Sequence, residues 1–100
     1  MSWMAVIGLL AAASLGAGDN AEGLKIYAER CAVCHGRAME GAEEGPPLTG
    51  PSFDATWRGK RAALRERIRR SMPQDQPGSL TGRQAIALAA LLLGRSSSGH

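Results

Sequence analysis

Aromatic side chains are scarce in this sequence, with two Trp, one Tyr and one Phe among 100 residues. Trp3 sits in an apolar N-terminal stretch, so only Tyr27, Phe53 and Trp57 remain to fill an interior. Two cysteines allow at most one disulfide, which excludes a disulfide-rich scaffold. β-Branched residues are also few: beyond residue 18 there are only Ile26, Val33, Ile68, Ile86 and three threonines, so no sheet is expected. Net charge is small, 12 Lys and Arg against 9 Asp and Glu. Without a dense basic surface interleaved with aromatics, nucleic acid is not an expected partner. No apolar run reaches the ~20 residues that cross a bilayer, so no stable membrane span is expected.

What is present begins with an apolar run over residues 3–13, followed by small residues up to the first charge at Asp19. That pattern fits a secretory signal over residues 1–18, although no Lys or Arg precedes the run. The expectation is export to the periplasm, a domain over 19–95 and a flexible tail over 96–100. A buried N-terminal helix and an uncleaved membrane anchor are the alternatives. A domain this small buries only ~60% of its unfolded surface and needs a staple, a metal or a cofactor.

Three helical segments stand out. The first starts at Asp19 as N-cap, with Glu22 three residues on, and aligns Leu24, Tyr27, Ala28 and Cys31 on one face. The second covers about Lys60 to Ser71, with Leu64 and Ile68 four apart, and Pro73 ends it. The third follows the Gln76-Pro77-Gly78 turn, with Thr81 as N-cap, Gln84 as its reciprocal partner and Gly94 as its stop. Residues 36–56 read as a long loop, and such loops inside compact domains are uncommon unless they wrap something. Charge is segregated: residues 19–54 carry seven acids and three bases, whereas Arg58–Arg70 carries seven bases and only Glu66. A solvated helix face is the plain meaning of that run. A surface for docking an acidic partner is the sharper one.

The string Cys31-Ala32-Val33-Cys34-His35 carries the chemistry. Cys-x-x-Cys-His is the attachment signature of a c-type haem. Two thiols three residues apart lie on one side of a helical turn, each able to form a thioether with one vinyl group. The next residue, His35, then supplies a nitrogen to the iron. A thioredoxin-like pair would need a βαβ pattern, which is missing. Zinc would need a fourth ligand, and the only other His or Cys is His100. A four-residue disulfide loop leaves His35 and Gly36 unexplained. The donors available for the iron's sixth position are Met39, Met72 and His100. Met39 is too near His35 to reach the opposite haem face, and His100 is terminal. Met72, fixed by Pro73 after the second helix, is the candidate, its alternative role being core packing.

With these motifs in order the chain resembles the class I cytochrome c family, the short bacterial periplasmic monohaem type. The resemblance covers residues 21–93. It rests on Gly23 with Tyr27, on Cys31-Ala-Val-Cys34-His35-Gly36, on Gly45-Pro46-Pro47-Leu48-Thr49-Gly50, and on Met72-Pro73 with Pro77-Gly78-Ser79-Leu80-Thr81. It implies an all-α cytochrome c-like fold, three to four helices wrapped around one covalently bound haem c. It implies that Gly23 and Tyr27 meet the face of the last helix that contains Ala89 or Ala90. It also implies that the Pro46 carbonyl accepts the His35 Nδ1–H, that Leu48 packs on the haem, and that Trp57 lies near a propionate.

An iron held by His35 and Met72 has no open position, and thioether sulfur raises its potential. The expected role is therefore single-electron transfer between redox partners, a dehydrogenase or an oxidase, with no catalysis by the chain itself. Two alternatives stand beside it. One is a haem-ligand sensor or small peroxidase with a labile sixth ligand, for which Gln74 and Gln76 are the nearest polar groups. The other is a cytochrome subunit of a dehydrogenase complex.

Overall fold

Glycine and proline punctuate the chain into four helical segments, described in a computed structural model for residues 21–98, with side chains through Arg95. The expected signal segment, the Asp19 cap and His100 lie outside the described residues. Helix α1 spans residues 21–35, helix α2 Pro51–Trp57, helix α3 Arg61–Ser71 and helix α4 Gly82–Ser98. Among the described residues there is no strand, only an isolated bridge between Ala42 and Gly45. The fold is all-α.

Helix α1 is not uniform. Its middle, Tyr27–Cys31, is a π-helical turn in which the Ala32 N–H bonds back five residues to the Tyr27 carbonyl. The buried residues of α1 are Gly23, Ile26, Tyr27 and His35, while Ala28 is exposed. The even apolar face expected through Ala28 is therefore corrected: the wide turn changes the helical phase in the middle of that face. Gly23 gives α1 its close approach to α4. A Cβ there would stand 3.2 Å from the Ala87 carbonyl oxygen and 3.4 Å from the Leu91 side chain. For Gly23 the contact falls at Ala87 and Leu91, on either side of Ala89 and Ala90 along the helix, and Ala90 itself is exposed.

The expected loop over 36–56 is too long by one helix. Gly50, at φ 98°, turns the chain, and Pro51 then occupies the first position of α2, where its missing N–H costs nothing. Phe53 is buried from this helix. Helix α3 has Lys60 at its N-cap and ends at Ser71, with Met72 extended before Pro73. Its inward stripe is Leu64 and Ile68. Helix α4 opens on a complete reciprocal cap: the Gln84 N–H donates to Thr81 Oγ1 at 3.1 Å, and the Thr81 N–H to Gln84 Oε1 at 2.9 Å.

Helix α4 runs past the expected stop at Gly94 to Ser98. Gly94 does not adopt the positive φ of a left-handed cap, and glycine in a helix costs only about 1 kcal/mol without breaking it. The core is built on α4, where Ala85, Leu88, Ala89, Leu91 and Leu92 are buried. Helix α3 packs chiefly against α4, and α2 touches both. Among the described residues no helix is long and apolar enough to cross a membrane.

Candidate functional site

The end of α1, the loop that follows it, α2, α3 and the segment after α3 converge on one cleft. Cys31, Cys34, His35, Pro46, Leu48, Trp57 and Met72 all line it. Sequence reasoning had named these seven, and the structure brings them together. The remaining apolar wall was not named as part of the site: Phe53 from α2, Leu64 and Ile68 from α3, Leu88 and Leu92 from α4. The signal for two of these was present, since Leu64 and Ile68 share a helix face. Phe53 was hidden by the loop reading of its segment. Met39, set aside as a donor on spacing grounds, is buried in the core at 3% exposure.

His35 is fixed twice. It is the last residue of α1 and is 8% exposed. Its Nδ1–H donates to the Pro46 carbonyl oxygen at 2.7 Å. A carbonyl oxygen only accepts, so Nδ1 carries the proton and Nε2 keeps its lone pair in neutral imidazole. Gly45 makes that contact geometrically feasible. A Cβ at this position would lie 2.9 Å from both Nδ1 and Cε1 of the ring, and 2.9 Å from the Cys34 carbonyl oxygen. Tyr27 closes the turn from the other side, its hydroxyl donating to the Gly36 carbonyl at 2.6 Å. Burial, the largest cause, pushes the Tyr27 hydroxyl up to about 12, with the charges of Cys31 and Glu40 adding to it.

Both cysteines are free thiols. Burial pushes Cys31 up to about 11, against the opposing pull of the Arg30 guanidinium. A thiol so protonated at neutral pH lacks the lowered pKa of thioredoxin-type nucleophiles. Among the described residues no group of three His, Cys, Asp or Glu is disposed to hold a metal ion.

The residues do fit the group that the Cys-x-x-Cys-His signature implies. A packed interior has few voids larger than one water, so a mostly apolar cavity of about 220 Å³ is a built space. Two unpaired thiols and an oriented imidazole border it. The polar groups in its lining are Arg30, Glu44, Arg67 and Gln74. Such an arrangement can bond a planar macrocycle through Cys31 and Cys34, offer it His35 Nε2, and exclude water from most of its surface.

Comparison with known proteins agrees with that geometry. Residues 18–92 match the family model of cytochrome c oxidase, cbb3-type, subunit III. The thiosulfate dehydrogenase of Stutzerimonas stutzeri (strain A1501) is 39% identical over 83 residues, a stretch covering 74% of this chain and 26% of that protein. The crystal structure of the sulfane dehydrogenase SoxCD from Paracoccus pantotrophus superposes with a TM-score of 0.63 at 26% identity. That match covers 77% of this chain and 43% of the other. The chain therefore spans about a quarter of the curated relative and less than half of the solved one.

Proposed function

Because the chain belongs to the family of cytochrome c oxidase, cbb3-type, subunit III, a cytochrome c domain with one haem c that transfers electrons, we propose that its iron is held between His35 and Met72. The same proposal makes the chain an exported electron carrier that serves a separate catalytic partner. When bound, the haem supplies a one-electron couple, and the protein supplies everything that tunes and protects it. Cys31 and Cys34 anchor it covalently. His35 is held in register by the Pro46 carbonyl, which also raises the basicity of its free nitrogen. Phe53, Leu64, Ile68, Leu88 and Leu92 keep water out, and burial disfavours the more highly charged oxidised state.

The observation that supports the axial pair is that His35 and Met72, distant in sequence, line the same cleft while Met39 is committed to the core. A position filled by thioether is closed to small ligands, which favours electron transfer over ligand sensing or peroxidase chemistry. The test is to reduce the holoprotein and add carbon monoxide. Slow, substoichiometric uptake is expected of the wild type, and rapid stoichiometric uptake of Met72→Ala. Rapid stoichiometric uptake by the wild type would reject the axial pair. It would favour a labile-ligand sensor, for which Gln74 in the cleft is the available polar group.

Two further parts belong to the same reading. Both proteins that the chain resembles are named dehydrogenases, which supports a role in passing electrons for a dehydrogenase partner. The partner would dock on the basic stretch Arg58–Arg70, where six of the seven cations are exposed and Arg67 reaches the edge of the cleft. A mass spectrum of protein from the periplasm is expected to show both loss of residues 1–18 and the added mass of one haem.

A further inference from the structure

The segment joining α3 to α4 carries Met72 at one end and Leu80 at the other. Leu80 is buried at 4% exposure, but every residue from Gln74 to Ser79 is exposed. The segment's own turn bonds, Gln76 N–H to the Pro73 carbonyl at 2.9 Å and Ser79 N–H to the Gln76 carbonyl at 3.2 Å, set its shape. They do not attach it to the rest of the protein. Arg30 does. Its Nη2 donates to Gln76 Oε1 at 3.0 Å and to Ser79 Oγ at 2.6 Å. Arg30 immediately precedes Cys31, and it lines the cleft together with Met72, Pro73 and Gln74. One guanidinium thus bridges the thiol-bearing turn and the Met72 segment across 46 and 49 residues of sequence. Both bonds leave one nitrogen, whose two N–H groups are held in the rigid plane of the guanidinium; the ammonium of lysine also has donors enough, but on a shorter side chain and free to rotate.

We propose that Arg30 is a positioning residue, a clasp that holds the Met72 segment against the Cys31 turn and so sets how often the thioether leaves the iron. The inference rests on the His35/Met72 reading given above. For Met72 to swing away, its segment must lift, and lifting breaks both bonds to Arg30. Charge-assisted hydrogen bonds at a solvent-exposed site are individually modest, so their loss should raise the lifted population on the order of tenfold. A plain electrostatic effect of the Arg30 charge on the iron makes a different forecast. Removing the acceptors while keeping the guanidinium would then change nothing in ligand access.

The experiment uses the reduced holoprotein and carbon monoxide as the probe in rapid mixing. Arg30→Gln and the double variant Gln76→Ala/Ser79→Ala should each bind carbon monoxide on the order of tenfold faster than wild type. The variant combining all three changes should be no faster than either, and Arg30→Lys should fall between. An unchanged rate in Gln76→Ala/Ser79→Ala, or additive acceleration in the combined variant, would overturn the clasp. If the wild type already binds stoichiometrically on mixing, the axial pair is what fails. Amide exchange over residues 74–80 then judges the clasp. It should quicken equally in Arg30→Gln and Gln76→Ala/Ser79→Ala, and unchanged exchange would sink the idea.

Discussion

Gly45 has no room for a side chain, because the His35 ring occupies the place where one would begin. In Gly45→Ala, either the ring turns or the Pro46 carbonyl withdraws from Nδ1. The first strains the core and the second makes His35 a poorer donor. The expected outcome is a loss of about 1–3 kcal/mol in stability and a rise in midpoint potential, read by denaturation and redox titration. Tyr27 gives a second prediction. Tyr27→Phe leaves the Gly36 carbonyl only the longer bond from the Met39 N–H, at 3.3 Å, and should cost about 1 kcal/mol. The folded state holds the Tyr27 proton more tightly than the unfolded chain, where it leaves near the ordinary value of 10. Wild-type stability is therefore fully present below pH 10 and declines between pH 10 and about 12, a decline the Phe variant lacks. Once Cys31 is a thioether its charge no longer contributes, but burial, the larger cause, remains. Urea titrations at pH 8, 10 and 11 would check this. Much of this site was legible in the residues themselves, because Cys31, Cys34 and His35 act through local spacing. Gly45 stands out in the sequence only as part of a family motif. Its need for an absent side chain appears only once two distant segments meet.

The same division holds for the elements. The start of α4 was legible because a reciprocal cap is a four-residue event, and both of its hydrogen bonds are present. Thr81→Ala removes one of them and should lower stability by about 1 kcal/mol with little change in visible spectrum, measured by thermal melting. Helix α2 was missed because the glycine and proline content of residues 36–56 outweighed one local signal, proline placed where a helix begins. The end of α4 was misplaced for the opposite reason. Gly94 offers a stop, but nothing in its surroundings forces the left-handed turn that would use it. The wide turn in α1 had no signature at all: no residue type in Tyr27–Cys31 demands a hydrogen bond five residues back instead of four.

At the scale of the molecule, the composition leaves few large side chains to fill an interior. Few aromatics and a small chain agree with a fold whose interior includes a cleft walled by Phe53, Leu64, Ile68, Leu88 and Leu92. Which segments supply that wall depends on long-range packing and could not be read from spacing. The separation of charge along the chain also becomes spatial, with exposed cations along α3 beside the cleft. For an acidic redox partner, Arg65→Glu with Arg69→Glu should slow association roughly tenfold at low salt and flatten its ionic-strength dependence. Arg83→Glu, on α4, should do neither; stopped-flow electron transfer measures both. The π-helical turn divides the first helix into two working halves. One additional residue rotates everything beyond it by about 100°, so Gly23 can face α4 while His35, Cys31 and Cys34 serve a cofactor. Deleting exposed Ala28 would restore an ordinary spiral and swing the imidazole out of line with the tyrosine above it: a gear tooth removed, with both wheels still intact.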